Sequence, residues 1–402
     1  MTAPRHIALL NVFFAPHSFG GATVVAEEVA QVLRRDHGLR ISAISAMHRR
    51  DLPPYRVMKT QSDGIDSYLI NLPPGRSYAE VYDNPEVTAP VAELLDQLAP
   101  DLVHAHCLQD LGIGVLGAVR ARDLPLVLSV HDFWWLCERQ FMIRPNRAYC
   151  GQNPVKIDAC KGCVAELPRA KTRFHALHKA AAQADLITFP SRFARDLCQA
   201  SGLVAPRLAV WENGITAPGA GFFQAQAARR AGDPRLVFGY LGGVTQVKGW
   251  PLIRAAFERL DQGDLAGWLV DLSLTGDEWQ DQNLDRMRGD WRIHPRFARA
   301  DMDAFYAKID VLLFPSQWKE TFGLTVREAA ARGIHVLQTN SGGAAEWDGA
   351  DPATMLQIGD GPEQLCAKIR HLLTTRPAPP KPRQFPGPAE QAHAFLDLVA
   401  PI

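Results

Sequence analysis

The sequence has no excess of either charge: 43 Lys and Arg stand against 43 Asp and Glu in 402 residues. So even a balance gives no general attraction to nucleic acid or to an anionic membrane surface, and nucleic acid is not an expected partner. There is no apolar run near the roughly 18 residues needed to cross a bilayer. The early run IALLNVFF is soon followed by Pro16 and by Gly20-Gly21, so it reads as a first buried strand and not as a signal peptide. A cytosolic location is therefore expected. Cysteine is scarce, with seven residues, and in that compartment they should be mostly reduced, so disulfides are not the first reading. What is abundant is core material. At 402 residues and 47 % hydrophobic, the chain exceeds what one ordinary core absorbs, and two domains are expected.

Short β-branched runs alternate with helical patterns, the signature of βαβ units and a parallel sheet. RHIALLNVFF, LRISAISA, DSYLINL, DLVHAH, LPLVLSVH, DLITFPS and RLAVWENG supply the strands of a first domain over 1–217. APGAGFFQAQAARRAGDP breaks the rhythm. LVFGYLG, GWLVDLSLTG, WRIHPRF, DVLLFPS, HVLQTN and TMLQIG then supply a second domain over 218–385. PAPPKPRQFPGP marks another break, and 386–402 is expected to form a terminal helix that returns to the first domain. Open α/β sheets bind ligands beyond the carboxyl ends of their strands, so two such sheets facing each other make a cleft.

The stretch KETFGLTVREAAARG follows DVLLFPSQW. A helix starting near Leu324 offers free N–H groups at Phe322, Gly323, Leu324 and Thr325 that suit a phosphate. Glu320 and Glu328 bracket that point, and carboxylates accept hydrogen bonds from paired sugar hydroxyls. A solvated, capped surface helix is the competing reading. His131, after LVLSV, is either a core histidine or a site residue. Gly112, Gly114 and Gly117 fit G-x-G-x-x-G, but they fall within a helical pattern, and NAD binding is set aside. Cys137, Cys150, Cys160 and Cys163 form C-x12-C-x9-C-x2-C in one irregular segment. Four thiolates suit a closed structural zinc site, with free thiols or two disulfides as the alternatives. Arg169, Lys171, Arg173 and Lys179 share a helical stretch with His175 and His178, read as a solvated basic face or else as an acceptor or membrane-surface patch.

PSxxxETFGLxxxEAAARG, TNSGGAAE and FGYLGGVTQVKGW resemble the donor-site signatures of glycosyltransferase family 4, the retaining family with the GT-B fold. FGGATVVAEEVAQVL, DLVHAHCL, LVLSVHDFWWLC, DLITFPSRF and WENGI are similar to its N-terminal motifs and stand in the same order. The cysteine segment resembles that of relatives with an insert after HDFW. The resemblance implies two Rossmann-like doubly wound domains facing across a cleft. It also implies transfer of a sugar from a nucleoside diphosphate to a hydroxyl of a glycan or lipid-linked glycan, in bacterial-type polysaccharide synthesis at or near the inner face of the membrane. Glu328 would take the ribose hydroxyls, while Glu320 and the amides of Phe322, Gly323 and Leu324 would hold sugar and diphosphate. Lys248 would contact the diphosphate and His131 the transferred sugar. Gly20 and Gly21 would let the first loop approach the ligand. No cofactor is implied for catalysis, because the leaving phosphate itself takes the acceptor's proton. Where many relatives carry G-R-L, this chain has Gly242-Gly243-Val244, which removes one cation from the diphosphate. A noncatalytic nucleotide-sugar-binding protein and a sugar-nucleotide epimerase are the alternative readings on the same fold.

Overall fold

The computed structural model describes residues 4–261, 263–272, 277–280 and 282–402. They form two compact α/β units: Met1–Phe141, Gly151–Gly214 and Pro386–Ile402 make the first, Met142–Cys150 and Ile215–Phe385 the second. Relative to the boundaries expected from the sequence, the change of unit comes at Gly214. The hairpin over 142–150, closed by an Ile143–Tyr149 bridge, groups with the second unit.

In the first unit the chain runs through β1 (His6–Leu10), α1 (Gly21–His37), β2 (Arg40–Met47), β3 (Val57–Ser62), β4 (Ile65–Asn71), α2 (Pro85–Leu98) and β5 (Leu102–Ala105). It continues through α3 (Gly114–Arg120), β6 (Leu126–Ser129), α4 (Leu167–Ala181), β7 (Leu186–Phe189), α5 (Arg192–Ala200) and β8 (Arg207–Val210). The sheet order is β3-β4-β2-β1-β5-β6-β7-β8, parallel except for β3, which pairs antiparallel to β4. VMKTQS has no apolar run, and its residues are at most half-buried, so this edge strand leaves little trace in the sequence. Ile7 and Leu9 face one core while Ala8 and Leu10 are equally buried on the other side, as expected where both faces of a parallel sheet are covered.

The second unit comprises α6 (Phe222–Gly232), β9 (Leu236–Tyr240), α7 (Trp250–Glu258), β10 (Leu265–Val270), β11 (Asp290–His294), α8 (Met302–Tyr306), β12 (Val311–Phe314), α9 (Leu324–Ala331), β13 (His335–Thr339), β14 (Met355–Leu356) and α10 (Pro362–Thr375). Its sheet is parallel throughout, in the order β11-β10-β9-β12-β13-β14. The strand expected over GWLVDLSLTG is β10; its expected end at 273–276 lies outside the described residues. Alternation along β9 separates two cores. Phe238 and Tyr240 pack with α7 and α10, and Val237 packs with α8 and α9, so the sheet is wound on both faces.

The expected basic face on α4 is only partly solvated. Arg173 is 4 % exposed, and its guanidinium donates to the Trp134 carbonyl at 2.9 Å and lies over that indole. Lys171 pairs with Asp158 and Arg169 with Glu166. Among the described residues no helix is long and apolar enough to cross a membrane.

The last helix, α11 (Pro388–Val399), belongs to the first unit. Ala392, Phe395 and Val399 enter the core formed by Val29 and Leu33 of α1. Trp211 Nε1 donates to the Gln391 carbonyl at 2.9 Å, and the Gly214 amide donates to Gln391 Oε1 at 2.7 Å. Phe395 is wholly buried. Phe395→Ala should therefore cost about 3–5 kcal/mol in urea unfolding, whereas Phe223→Ala, at a half-exposed ring, should stay within about 0.5 kcal/mol of wild type.

Candidate active site

In the second unit the strand order reverses between β9 and β12, the switch point where open α/β sheets take ligands. The loops leaving these two strands meet there. Gly249 closes the first with a φ of 80°, and a Cβ at that residue would stand 2.1 Å from the Pro315 carbonyl oxygen. Only glycine permits this approach. The Gln317 amide donates to the Val247 carbonyl at 2.8 Å, which fixes the register of the two loops. Across this junction Lys248 Nζ donates to Glu320 Oε1 at 2.9 Å, and Ser316 Oγ donates to the same oxygen at 2.7 Å. The Glu320 side chain is 10 % exposed and that of Lys248 40 %, so the ammonium is the solvent-facing partner; it also lies over the Trp318 ring. Among the described residues Glu320 Oε2 takes no hydrogen bond.

The start of α9 lies three residues beyond. Gly323 caps it with a φ of 80°, and a Cβ there would stand 2.6 Å from the Ala344 Cβ. The helix begins hard against the loop after β13. Its first N–H groups, from Leu324 onward, have no intrahelical acceptors and carry the positive end of the helix dipole. Phe322 is buried beneath them. The two loops are zipped: the Glu320 amide donates to the Ser341 carbonyl and the Gly343 amide to the Glu320 carbonyl, each at 2.9 Å. Gly242 and Gly243 sit on the facing loop. Among the described residues a Cβ at Gly243 would meet Thr245 at 3.8 Å and Glu278 Oε2 at 4.0 Å, ordinary contacts that leave room for the cation that the motif lacks, beside a carboxylate that would attract it.

Glu328 is not the open acceptor that its spacing suggested. Arg299 Nη1 donates to its Oε1 at 2.7 Å, and the Tyr306 hydroxyl donates to its Oε2 at 2.8 Å. Burial first, and then the adjacent carboxylate, push the Tyr306 hydroxyl well above its usual range, so it stays a donor. Each carboxylate oxygen keeps further acceptor capacity for a ribose hydroxyl. The sequence names Glu328 but neither of its partners. They are 29 and 22 residues away, in segments without a motif, and no local signal marks them.

In the first unit His131 directly follows β6 and keeps part of its surface exposed. The protein atoms around it lower its pKa to about 4, so the ring is neutral near pH 7. Its Nε2 is 2.9 Å from Nδ1 of His106, a residue that the motif DLVHAHCL contains but that spacing did not single out. Asp132 is structural. Its Oδ1 accepts from the Trp134 amide at 2.8 Å, and its Oδ2 accepts from Gln109 at 2.9 Å and Gln140 at 2.6 Å. Gly20 caps α1 with a φ of 82° and nothing within 4 Å of a Cβ position, and Gly21 opens the helix. Of the sequence-selected residues, the structure brings together Lys248, Glu320, Phe322, Gly323, Leu324, Thr325 and Gly243 in the second unit. Glu328 lies one turn into α9. Gly20, Gly21 and His131 belong to the first unit.

Cys137, Cys150, Cys160 and Cys163 are not joined in disulfides, and each is partly exposed. Among the described residues no group of three or more His, Cys, Asp or Glu side chains is placed to hold a metal ion. The tetrahedral thiolate set that the spacing suggested is thus not assembled in this geometry, and the Gln152 amide approaches the Cys160 sulfur at 3.7 Å instead.

Residues 19–218 match the sequence model of Glycosyltransferase Family 4, and residues 235–375 match that of Glycosyl transferases group 1. Both matched models are of glycosyltransferases. Sulfoquinovosyl transferase SQD2 of Arabidopsis thaliana is 24 % identical over 299 residues, 69 % of this chain and 50 % of that protein, so the chain spans about half the length of this curated relative. Among solved structures, sucrose-phosphate synthase of Thermosynechococcus elongatus superposes with a TM-score of 0.65 at 16 % identity. Anabaena Alr3699/HepE in complex with UDP-glucose superposes with a TM-score of 0.62 at 17 % identity. Each of these matches covers 98 % of this chain and 94 % of the other. The shared architecture is the GT-B fold.

The geometry around Glu328 makes a specific expectation. Glu328→Ala removes the acceptor and leaves Arg299 without its carboxylate. It should weaken binding of a bare nucleoside diphosphate by about 10- to 100-fold, as read by calorimetric titration. Tyr306→Phe, which frees one oxygen without removing the charge, should change that affinity by less than about 5-fold.

Proposed function

We propose that this glycosyltransferase is a retaining enzyme that moves a sugar from a nucleoside diphosphate sugar to a hydroxyl of a glycan or lipid-linked glycan, in the assembly of a bacterial-type polysaccharide. The observation that carries the reading is the convergence at the β9/β12 switch point of one ammonium, one carboxylate with an open oxygen, and the unpaired N–H groups of a helix start. That set matches the parts of a sugar diphosphate. The helix start and Lys248 take the diphosphate, Glu320 Oε2 takes a sugar hydroxyl, and Glu328, one turn further on, takes the ribose. Uridine is the favoured base, because the similar HepE structure is described with UDP-glucose. His131, in the first unit, hydrogen-bonds the transferred sugar.

As the bond between sugar and phosphate breaks, negative charge builds on the leaving diphosphate. The α9 amides and Lys248 receive it, with no reorganisation required of the helix. The acceptor hydroxyl enters on the face the phosphate leaves, and the phosphate oxygen takes its proton. The donor anomer is thereby retained. Glu320 serves two ends here: it binds the sugar, and it holds Lys248 over the phosphate position.

A thermal-shift screen of nucleoside diphosphate sugars should select a uridine donor, since a ligand bound to the native state raises stability by mass action. NMR of the product should show the donor's anomeric configuration. An inverted product would overturn the retaining assignment, and a donor bound but neither transferred nor hydrolysed would mark a binding protein. Lys248→Ala should lower kcat by about 10²–10³-fold and weaken donor binding much less, because charge on the diphosphate peaks in the transition state. Gly243→Arg should restore part of this loss, and more of it when Glu278→Gln removes the competing carboxylate. A Lys248→Ala enzyme with wild-type kcat would place charge stabilisation elsewhere.

A further inference from the structure

Four rings follow one another through the first unit. Phe395 of α11 lies on His104 with ring centroids 4.5 Å apart and planes 14° from parallel. His104 meets His106 at 4.0 Å with planes tilted by 39°, and His106 meets His131 edge to edge, with centroids 5.2 Å apart and planes within 16°. The strand period explains the first steps: Leu102, His104 and His106 alternate onto the face that α11 covers. His104 is tied at its other side, with Nε2 2.7 Å from Ser129 Oγ, which is itself 2.6 Å from Thr188 Oγ1. His104 and His106 are each 1 % exposed. Burial keeps both rings, like His131, below the ordinary histidine range, so the column is neutral.

In a neutral pair, a single proton occupies the 2.9 Å contact between His106 Nδ1 and His131 Nε2. His106 Nε2 is buried and, among the described residues, has no hydrogen-bond partner. If His131 donated, the proton of His106 would be on that Nε2, as a buried N–H with no acceptor. If His106 donates, the same nitrogen is only an unused lone pair. Orphaned buried N–H groups are the rarer defect, so the second arrangement holds. His131 then accepts at Nε2 and carries its own proton on Nδ1, because the hydrogen bond made by one ring nitrogen sets the state of the other.

We infer that His106 is a positioning residue, which fixes His131 as the Nδ1–H tautomer and so makes it a hydrogen-bond donor toward a sugar hydroxyl and not a base. This rests on the transferase reading only for the identity of the acceptor atom. A donor suits a chemistry in which the leaving phosphate takes the proton and no protein base is called for.

The test uses the full chain labelled with 15N-histidine, in long-range proton–nitrogen NMR spectra without donor or acceptor. Wild-type His131 should show the Nδ1–H pattern. His106→Phe keeps an aromatic ring beside His104 but has no donor, and should lose that pattern. It should also lower kcat by about 10- to 100-fold with donor KM within about 3-fold, the loss of one transition-state hydrogen bond. His106→Asn places an amide N–H near the lost Nδ1–H, and should restore the tautomer and most of kcat. An Nε2–H pattern for wild-type His131 would overturn the inference. So would a folded His106→Phe protein with the wild-type tautomer and kcat, or a folded His106→Asn protein as impaired as His106→Phe. If His106→Phe fails to fold, the wild-type spectrum and the Asn variant still decide. Because the tautomer is read on the protein alone, an enzyme that transfers no sugar would refute the functional reading without touching this one.

Discussion

The candidate site of the second unit depends on a buried cation. Arg327, on α9, is 2 % exposed. Its guanidinium donates to the carbonyl of Phe322 in the loop after β12, and to those of Gly343 at 3.0 Å and Glu346 at 2.8 Å after β13. It also lies 3.8 Å over the Phe322 ring. It gives donors to backbone carbonyls of two loops at once, where a buried carbonyl left without a donor costs about 1–3 kcal/mol. With Arg327 in place, the loops are held close enough for Glu320 to pair with both Ser341 and Gly343 through its backbone. Its side chain is then free to face Lys248. The helix start that offers N–H groups to an anion is fixed by the same guanidinium, one turn in from the end it stabilises.

What could be read from the sequence was whatever lies along it. The β-branched runs place thirteen of the strands because a parallel strand buried on both faces needs an unbroken apolar stretch, as VLLF in β12 shows. Glu320, Gly323 and Leu324 were legible because loop, cap and helix are consecutive. Lys248 and Gly249 were legible because a glycine approach follows a strand. What was hidden lies across the chain. Arg299 and Tyr306 reach Glu328 through tertiary packing, and His106 is marked only by the ring it touches. β3 was hidden for another reason, since an edge strand need not be apolar. In the cysteine segment spacing suggested closure, yet spacing constrains only chain length, not the direction of the side chains.

The two units use opposite electrostatic designs around their candidate site residues. In the second unit, charges are kept and paired: Lys248 with Glu320, Arg299 with Glu328, and Arg332 with Asp303 at 2.6 Å. Such groups suit a ligand that brings charge of its own. In the first unit the rings near His131 are stripped of charge by burial, and their remaining information is the placement of protons.

The placement of α11 also orders events in time. The core between α1 and the sheet of the first unit is complete only with Phe395 and Val399, although the other residues of that unit end at Gly214. On the ribosome, chains fold domain by domain, usually from the N-terminus. Here the earlier-made sheet must wait with an apolar flank uncovered while the whole second unit is synthesised. The second unit, contiguous but for a nine-residue hairpin made earlier, has its own strands and helices in hand before α11 emerges. The half made first is thus the half finished last, and a nascent chain stalled before α11 would present that bare flank to chaperones.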